Sequence, residues 1–348
     1  MTMPPFSRPP LGRRWGHLLG AYGLLALTAL LFLAFSLALP DTFPTLDNIS
    51  QVLSNQSIPA ILALGAMIPI VTANFDLSIG YGLGLAHVMT MQLIANEGWP
   101  WPPACLVVVL GGAVVGTFNG VVVEFAKIDS FIATLGTGSI LYALTGWITN
   151  GARIVPGPQG LPAAFTDLYD SRFLGLPVSA FYVLALTAVL WLLLERLPLG
   201  RYLYVIGSNP RAAELVGIPV RRYVVYAFAG SGLVVGIAGV LLAAQQRIGN
   251  PSVGLDYLLP AFVGALLGST AIRPGRANAL GTLVAVVILA IGLAGIGQLG
   301  AQFWVTPLFN GATLLIAVGM AGYAARRQLR RGRAAPPRPR HDVPQTTP

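Results

Sequence analysis

Charged residues are scarce in this sequence: only 9% of its 348 residues are Asp, Glu, Lys or Arg, whereas 55% are hydrophobic. A soluble domain carries about 25% charged residues. A chain with so little charge cannot cover itself with a polar surface. The composition therefore excludes a soluble globular protein, and with it the soluble enzymes and soluble binding domains.

Residues on which many enzymes depend are also rare. Lys127 is the only lysine and follows an alanine, so the chain has no Gly-Lys-Ser/Thr phosphate-binding loop. Cys105 is the only cysteine, which rules out an intrachain disulfide. The three histidines lie far apart and form no recognisable metal-ligand motif. We therefore predict no catalytic residues, no metal site and no cofactor bound by this chain.

Long uncharged hydrophobic runs are abundant instead. A helix of about 20 apolar residues spans the hydrocarbon core of a bilayer, and a helix satisfies the backbone polar groups that lipid cannot. The runs predict an all-α, polytopic membrane helix bundle of about ten transmembrane helices. The predicted spans are 18–39, 57–73, 78–95, 103–125, 130–149, 178–195, 223–246, 257–271, 277–297 and 303–324. The runs within 57–95 and 257–297 are interrupted, so broken or re-entrant helices are an alternative there.

The basic residues predict the orientation of the chain. Cytoplasmic flanks of membrane proteins are enriched in Lys and Arg. With a cytoplasmic N-terminus and ten spans, 18 of the 21 basic residues fall on the inner side. We therefore expect both termini in the cytoplasm, and we attribute the net charge of +9 to orientation rather than to nucleic-acid binding. The expected domains are a basic N-terminus (1–17), a transmembrane domain (18–325) and a disordered basic tail (326–348).

The predicted inner loop 196–222 contains a short helix signal. Asn209 followed by Pro210 favours a turn and then a first helical turn. The helix would run through 211–216 and end at Gly217. Such a helix, lying parallel to the membrane, would be a rigid element that another protein could push. The spacing alone equally allows a charged loop with an incidental helix.

Glycines recur every four residues along several predicted spans. Such faces let helices approach closely in membranes, and plain helix packing is favoured over ligand contact. The glycines are Gly112, Gly116 and Gly120, with the pairs Gly80/Gly84, Gly232/Gly236 and Gly264/Gly268.

Four stretches together resemble one family. They are 74–80 (Asn-Phe-Asp-Leu-Ser-Ile-Gly), 129–137 (Asp-Ser-Phe-Ile-Ala-Thr-Leu-Gly-Thr), the loop 200–218, and 250–282, which begins with Asn-Pro and ends with Gly-Thr. In this order they resemble, over residues 57–325, the permease subunits of ribose/xylose/arabinose-type ABC sugar importers, a binding-protein-dependent family in the branched-chain amino acid permease superfamily. One departure is clear, because a glycine-rich turn of the family reads Arg-Pro-Gly-Arg at 273–276.

The resemblance implies a permease that translocates a monosaccharide or related polyol across the bacterial inner membrane. ATP and Mg²⁺ would bind to a separate ABC ATPase subunit docked on the inner loop. A periplasmic or extracellular solute-binding protein would deliver the solute, a second permease chain, identical or related, would complete the pathway, and membrane lipid would surround the helices. The residues assigned to ATPase coupling are Gly207, Asn209, Arg211, Ala212, Ala213, Glu214 and Gly217.

A few polar residues lie in or next to the predicted spans. Asp76 stands two residues before Ser78, and a carboxylate at a membrane span is costly enough to be a functional candidate. It could cap the third helix, beginning at Leu77, or contact solute directly. The pathway or gating candidates are Asp76, Ser78, Asn119, Thr134, Thr137 and Asn310. The last four, like Gln298, could instead form interhelical hydrogen bonds.

Other functions remain open from the sequence. Permeases for branched-chain amino acids or nucleosides share the same superfamily. An ion-coupled secondary transporter would carry ionisable residues near the bilayer midplane and paired repeats. Asp76 is placed at a membrane edge, no other acidic residue is a candidate for coupling, and no repeat is visible. A membrane enzyme would need a catalytic constellation, which this sequence does not contain.

Overall fold

The computed structural model describes residues 11–316 and residue 319, and it is almost entirely helical. The described residues form thirteen helices and one hairpin. The helices are α1 (Leu11–Ala38), α2 (Leu46–Val71), α3 (Ser78–Met91), α4 (Trp101–Phe125), α5 (Ser130–Thr149), α6 (Ala163–Asp170), α7 (Val178–Trp191), α8 (Pro198–Ser208), α9 (Pro210–Leu215), α10 (Val220–Gln246), α11 (Val253–Gly268), α12 (Ala279–Gln298) and α13 (Val305–Ile316). The antiparallel hairpin pairs β1 (Arg172–Phe173) with β2 (Leu176–Pro177). Two π-helical turns, Gln92–Asn96 and Leu192–Arg196, extend α3 and α7.

Six helices in the described part of the chain are long and apolar enough to cross a membrane. They are α2, α4, α5, α7 with its π-helical turn, α10 and α12. Residues 23–38 of α1, together with α11 and α13, form shorter apolar helices. The predicted helical membrane bundle is confirmed at this level, but the predicted number of ten spans is not.

The predicted helix boundaries differ most near the N-terminus. Helix α1 begins at Leu11 rather than at residue 18, and α2 begins at Leu46 rather than at residue 57. Thr45 caps α2, since its side chain accepts a hydrogen bond from the backbone N–H of Asn48. Two internal prolines, Pro59 and Pro69, each remove a backbone donor without ending this helix. The interruption expected within 57–95 lies at 72–77, between α2 and α3. The basic tail 326–348 lies outside the described residues.

The centre of the bundle is α10, which packs against α2, α3 and α4. Its side facing α4 is made of glycine, and the two backbones lie in direct contact. A Cβ atom added at Gly116 would overlap the carbonyl oxygen of Phe228, and one at Gly112 would overlap that of Gly232. The predicted close approach of glycine faces is therefore confirmed for this pair of helices.

The remaining glycine faces pack other pairs of helices. A Cβ atom at Gly80 of α3 would stand 3.0 Å from the carbonyl oxygen of Gly254 in α11. In the same way, Gly268 at the end of α11 meets the backbone of Thr282 near the start of α12. Helix α11 is therefore held by backbone contact on two sides.

The bundle has two ends of different character. One end, which we call the α8 end, gathers the end of α2, the start of α12, α8 and α9. There Ala213 of α9 packs with Val123 of α4 and Ala133 of α5. The opposite end carries α6 and the hairpin. Among the described residues, the basic side chains of the predicted inner loops, such as Arg211 and Arg273, belong to segments of the α8 end.

Candidate functional site

Residues 72–77, which we call the junction, separate α2 from α3 at the α8 end. Helix α2 ends with the N–H of Ala73 bonded to the carbonyl of Ile70 at 2.9 Å and that of Asn74 bonded to Pro69 at 3.1 Å. This is the bonding pattern of a helix end that usually carries glycine. Here the position is Ala73, with φ of +60°. A side chain in this left-handed conformation costs about 1 kcal/mol, so the junction holds some backbone strain.

Asp76 is buried, with 2% of its surface exposed. Its Oδ1 accepts two hydrogen bonds from Ser78, one from the backbone N–H at 3.0 Å and one from the hydroxyl at 2.6 Å. Ser78 is the first residue of α3, as in the predicted span 78–95, and Asp76 caps the helix by binding the N–H of this first residue. Asp76 therefore caps α3 through Oδ1, and neither of these bonds uses its Oδ2.

Two further helices hold the junction by hydrogen bonds. Asn119 of α4 donates from Nδ2 to the Ser78 hydroxyl at 2.8 Å. On α5, the Thr134 hydroxyl accepts from the backbone N–H of Leu77 at 2.9 Å, and the Ser130 hydroxyl accepts from that of Phe75 at 3.1 Å. Four of the six predicted pathway candidates thus meet in one place: Asp76, Ser78, Asn119 and Thr134.

The other two candidates behave differently. Thr137 is buried on α5, three residues beyond Thr134. Asn310 lies on α13, where its neighbour Phe309 packs against the cluster formed by α11 and α12. Gln298 lies at the opposite end of the molecule and bonds to Asn48 and Thr42. No described contact brings Asn310 or Gln298 to the junction.

Ser130 and Asp129 are site residues that sequence reasoning did not single out. Asp129 caps α5, because its Oδ1 accepts the backbone N–H of Phe131 at 3.0 Å. Asp-Ser directly before an apolar helix is a common capping pattern, so the sequence did contain a signal. The contact of Ser130 with the junction could not be read from it, since the two segments are 55 residues apart.

A cavity of about 220 Å³ adjoins the junction between α3, α4, α5 and α10. Asp76 and Ser78 line it at the junction. Glycines line much of the rest: Gly82, Gly111, Gly112, Gly116 and Gly232. Aliphatic side chains make up most of the remaining lining. A larger cavity of about 360 Å³ lies between α2, α7 and α12, and its lining is also mainly apolar, with Asn48, Gln56 and Ser57 as polar residues. Only the smaller cavity is lined by a carboxylate, the strongest acceptor for a solute rich in hydroxyl groups, so it is the better candidate.

The inner loop 196–222 contains two helices rather than one. The predicted short helix is present as α9, with Asn209 as its cap at 3.0 Å from the N–H of Ala212. It ends as predicted at Gly217, which has φ of +82°, with the N–H of Ile218 bonded to the carbonyl of Ala213. Ala213 is fully buried. Arg211, Ala212 and Glu214 are exposed.

Helix α8 was not predicted, although its signals are visible. Pro198 occupies the first turn of the helix, where proline is favoured. Leu199, Leu203 and Ile206 follow at helical spacing and pack inward. The tight contact of α8 is at Gly207, where a Cβ atom would overlap the carbonyl oxygen of Val71 at the end of α2. The α8–α9 segment therefore touches the helix that leads into the junction.

Comparisons with known proteins agree with this architecture. A family model described as the permease component of the branched-chain amino acid transport system matches residues 48–318. The chain is 31% identical over 290 residues to the ribose import permease protein RbsC of Haemophilus influenzae, covering 83% of this chain and 89% of that protein. It is 27% identical over 299 residues to the D-allose transport system permease protein AlsC of Escherichia coli, covering 86% and 90%.

A third relative is named for a different solute. The autoinducer 2 import system permease protein LsrD of Escherichia coli is 31% identical over 300 residues, which covers 84% of this chain and 90% of that protein. No solved structure gives a significant match. Because the family model covers most of the described chain and relatives above 30% identity span most of its length, this protein belongs to the family of permease components of the branched-chain amino acid transport system type.

Proposed function

We propose that this chain is the membrane-spanning permease subunit of an ATP-driven ABC importer for a monosaccharide or a related polyol. The observation that carries the proposal is similarity along more than four fifths of the chain to permeases named for ribose and D-allose import. The family description names branched-chain amino acids, but the cited relatives are named for sugars and for autoinducer 2. Amino acids and nucleosides are therefore the less favoured solutes.

The solute pathway in this proposal passes the cavity at the junction. Sugar hydroxyl groups donate hydrogen bonds, and a carboxylate is a strong acceptor. Both described bonds of Asp76 use Oδ1, so its Oδ2 can accept from a solute in the cavity that Asp76 lines. The Oδ1 of Asn119 is buried and has no hydrogen-bond partner among the described residues. Asp76 and Ser78 would contact the solute, whereas Asn119, Thr134 and Thr137 would hold the junction in position as a gate.

The energy for transport would come from a partner ATPase bound at the α8–α9 segment. Leu215 and Val216 at the end of α9 are 85% and 73% exposed, and they lie beside the exposed charges of Arg211 and Glu214. An apolar patch rimmed by charge fits a protein surface. Nucleotide-driven closure of the ATPase would push α9, and Gly207 would pass the movement to the end of α2 and the junction.

The rest of the assembly follows from the exposed helices. The outward sides of α4 and α5 are apolar, including Val114, Phe118, Ile132 and Trp147, all more than half exposed. Lipid tails or a second permease chain would cover these surfaces in the inner membrane of a bacterial cell. With the α8 end in the cytoplasm, a solute-binding protein would deliver solute to the end that carries α6.

Reconstitution tests the function directly. The chain is purified with an ABC ATPase and a solute-binding protein from the same genome and placed in proteoliposomes. Labelled D-ribose and D-allose are compared with leucine and a nucleoside, with and without ATP. We expect ATP-dependent accumulation of one of the sugars. Accumulation that follows a proton or sodium gradient without ATP would refute the proposal, and uptake of leucine alone would correct the solute.

The docking role of α9 is tested by exchanging two charges. In the double variant Arg211→Glu with Glu214→Arg, both exposed side chains reverse sign while Ala213 and the cap at Asn209 stay intact. We expect solute uptake per ATP hydrolysed to fall at least about ten-fold, because the reversed charges would no longer be complementary to the ATPase surface. Asp41→Arg, an exposed change at the opposite end, serves as the control. Normal coupling in the double variant would remove α9 from the interface.

A labelling experiment tests the orientation. Cys105 is replaced by alanine, and a cysteine is introduced at the exposed position of Glu214. A membrane-impermeant maleimide should label this cysteine in inverted vesicles and leave it unlabelled in intact cells. The reverse pattern would place the α8 end outside and would exclude ATPase binding there.

A further inference from the structure

Helix α8 joins the ends of two different membrane helices. On one side the backbone of Gly207 lies against the carbonyl group of Val71, the last residue of α2. On the other side, the Tyr204 hydroxyl donates a hydrogen bond of 2.8 Å to the carbonyl oxygen of Ala277. Ala277 stands two residues before α12 begins. Helix α8 therefore contacts both the end of α2 and the turn before α12, so a movement of α8 would reach both helices.

Two charged side chains, Arg276 and Glu195, contact Tyr204, and a third, Arg273, pairs with Glu195. The guanidinium carbon of Arg276 lies 3.2 Å from the centroid of the tyrosine ring. Glu195 Oε1 lies 3.4 Å from the tyrosine hydroxyl, and the same carboxylate forms an ion pair with Arg273. The Glu195 side chain is only 7% exposed, and a buried carboxylate needs such partners. These four residues, the Tyr204 cluster, connect the end of α7, α8 and the turn between α11 and α12.

The turn that contains Ala277 is hydrogen-bonded to the first turn of α12. Asn278 follows Ala277 and caps α12, with its Oδ1 accepting the N–H of Gly281 at 2.7 Å. Its Nδ2 donates to the carbonyls of Arg276 and Ala271 at 3.0 and 3.2 Å. Asn278 is buried, so the turn and the first turn of α12 form one hydrogen-bonded unit. The peptide that Tyr204 holds is the one next to this cap.

The pKa of Tyr204 indicates that its hydroxyl keeps donating the hydrogen bond to Ala277 near neutral pH. Burial, followed by the nearby charge of Glu195, raises the pKa of Tyr204 to about 12. The phenol therefore keeps its proton and remains a donor near neutral pH. The two arginines of the cluster are the first and last residues of the Arg-Pro-Gly-Arg turn at 273–276. This turn thus supplies the side chains that contact Tyr204 and Glu195.

We propose that Tyr204 is a positioning residue that transmits movement of α8 to the first turn of α12, so that the α8–α9 segment moves two membrane helices instead of one. This inference rests on the proposed function, because it assigns a second output to the same ATPase-driven segment. The first output runs through Gly207 to α2 and the junction. The second runs through the Tyr204 cluster and Asn278 to α12.

Hydrogen–deuterium exchange on the purified chain in nanodiscs tests the contact without any partner. In Tyr204→Phe the ring remains under Arg276, but the hydrogen bond to Ala277 is lost. We expect exchange of the peptide 277–283 to become about five-fold faster, as the loss of about one hydrogen bond predicts. Tyr202→Phe, on an exposed side of the same helix, is the control and should change nothing. Unchanged exchange in Tyr204→Phe would overturn the inference.

A second experiment measures coupling in the reconstituted transporter with its ATPase and binding protein. Tyr204→Phe should reduce solute uptake per ATP hydrolysed about three- to ten-fold while ATP hydrolysis continues. Glu195→Gln and Arg273→Gln should each do the same, and the double variant should be no worse than either, because both remove one ion pair. Full coupling in all variants would overturn the inference. Absence of ATP-driven uptake in the wild type would overturn the proposed function instead, and the exchange experiment would still decide the contact between α8 and α12.

Discussion

The α4–α10 contact and the junction are both buried, but they are held in opposite ways. Between α4 and α10 the backbones touch through glycines, and no room is left for a single methyl group at Gly116. The junction is held by separate hydrogen bonds, among them those to Thr134 and Ser130. Backbone contact resists any displacement because interiors are close-packed. Hydrogen bonds can break one at a time, each at a net cost of about 1 kcal/mol.

This difference leads us to expect movement in one of the two regions. We expect the α4–α10 pair to act as a rigid frame and the junction to be the part that rearranges at low cost. The junction also holds the buried carboxylate of Asp76 and adjoins the cavity. Its first residue, Thr72, adjoins the α8–α9 segment, since a Cβ atom at Gly207 would stand 3.3 Å from Thr72 Cα. A transporter needs one fixed part and one that switches, and these two regions fit those roles.

The largest effect is expected at the glycine contact. Gly116→Ala places a methyl group on the carbonyl oxygen of Phe228, so α4 and α10 must separate, at a cost of about 1–3 kcal/mol. Gly111→Ala on the same helix meets nothing within 4 Å and should not destabilise the protein, because alanine at an exposed position inside a helix is favoured over glycine by up to about 1 kcal/mol. Thermal unfolding in detergent measures both. Equal stability of the two variants would mean that this contact is not the rigid frame.

A smaller loss is expected from one hydrogen bond at the junction. Thr134→Val leaves the backbone N–H of Leu77 without its acceptor, at a cost of about 1 kcal/mol. Thr145→Val is the matched control, because the Thr145 hydroxyl bonds only to the carbonyl of Leu141 in its own helix. Hydrogen exchange of peptide 72–80 should rise in the first variant alone. A rise in both would show that the loss comes from α5 as a whole.

The α4–α10 contact and the junction could be predicted from the sequence to different extents. Spacing of four residues identified Gly112 and Gly116, because a periodic pattern along one helix needs no knowledge of its partner. Asp76 and Ser78 were also found, since a carboxylate beside a membrane span is unusual. The bonds from Asn119 and Thr134 to the junction depend on how three helices meet, which no local pattern encodes.

The inner loop shows the same limit. Helix α9 was predicted from its proline start and its glycine end, which are local signals. Helix α8 was not predicted, because its residues were assigned to the inner loop 196–222. Pro198 and the spacing of Leu203 and Ile206 nevertheless favour a helix. The Tyr204 cluster joins Glu195 to Arg273 across 78 residues. Only the fold brings such residues together.

A third prediction separates the two roles of Asp76. Asp76→Asn keeps an oxygen that can accept from Ser78, so the cap on α3 should lose no more than a few tenths of a kcal/mol. Asp76→Ala removes the acceptor and should cost about 1 kcal/mol. If Asp76 also contacts solute, uptake falls in both variants, whereas a pure cap would leave uptake normal in Asp76→Asn. Thermal unfolding and uptake by the reconstituted transporter, measured side by side, distinguish these outcomes.

The smallest effect concerns the strain at Ala73. Its φ of +60° is favourable for glycine and unfavourable for alanine, so Ala73→Gly should stabilise the protein. The relief of about 1 kcal/mol is partly offset by the greater freedom of glycine in the unfolded chain, which leaves about 0.5 kcal/mol. Ala188→Gly in the exposed part of α7 should instead lose about 1 kcal/mol. Opposite signs in the two variants would establish that the junction is strained, and a loss of stability in both would show that the strain is absent.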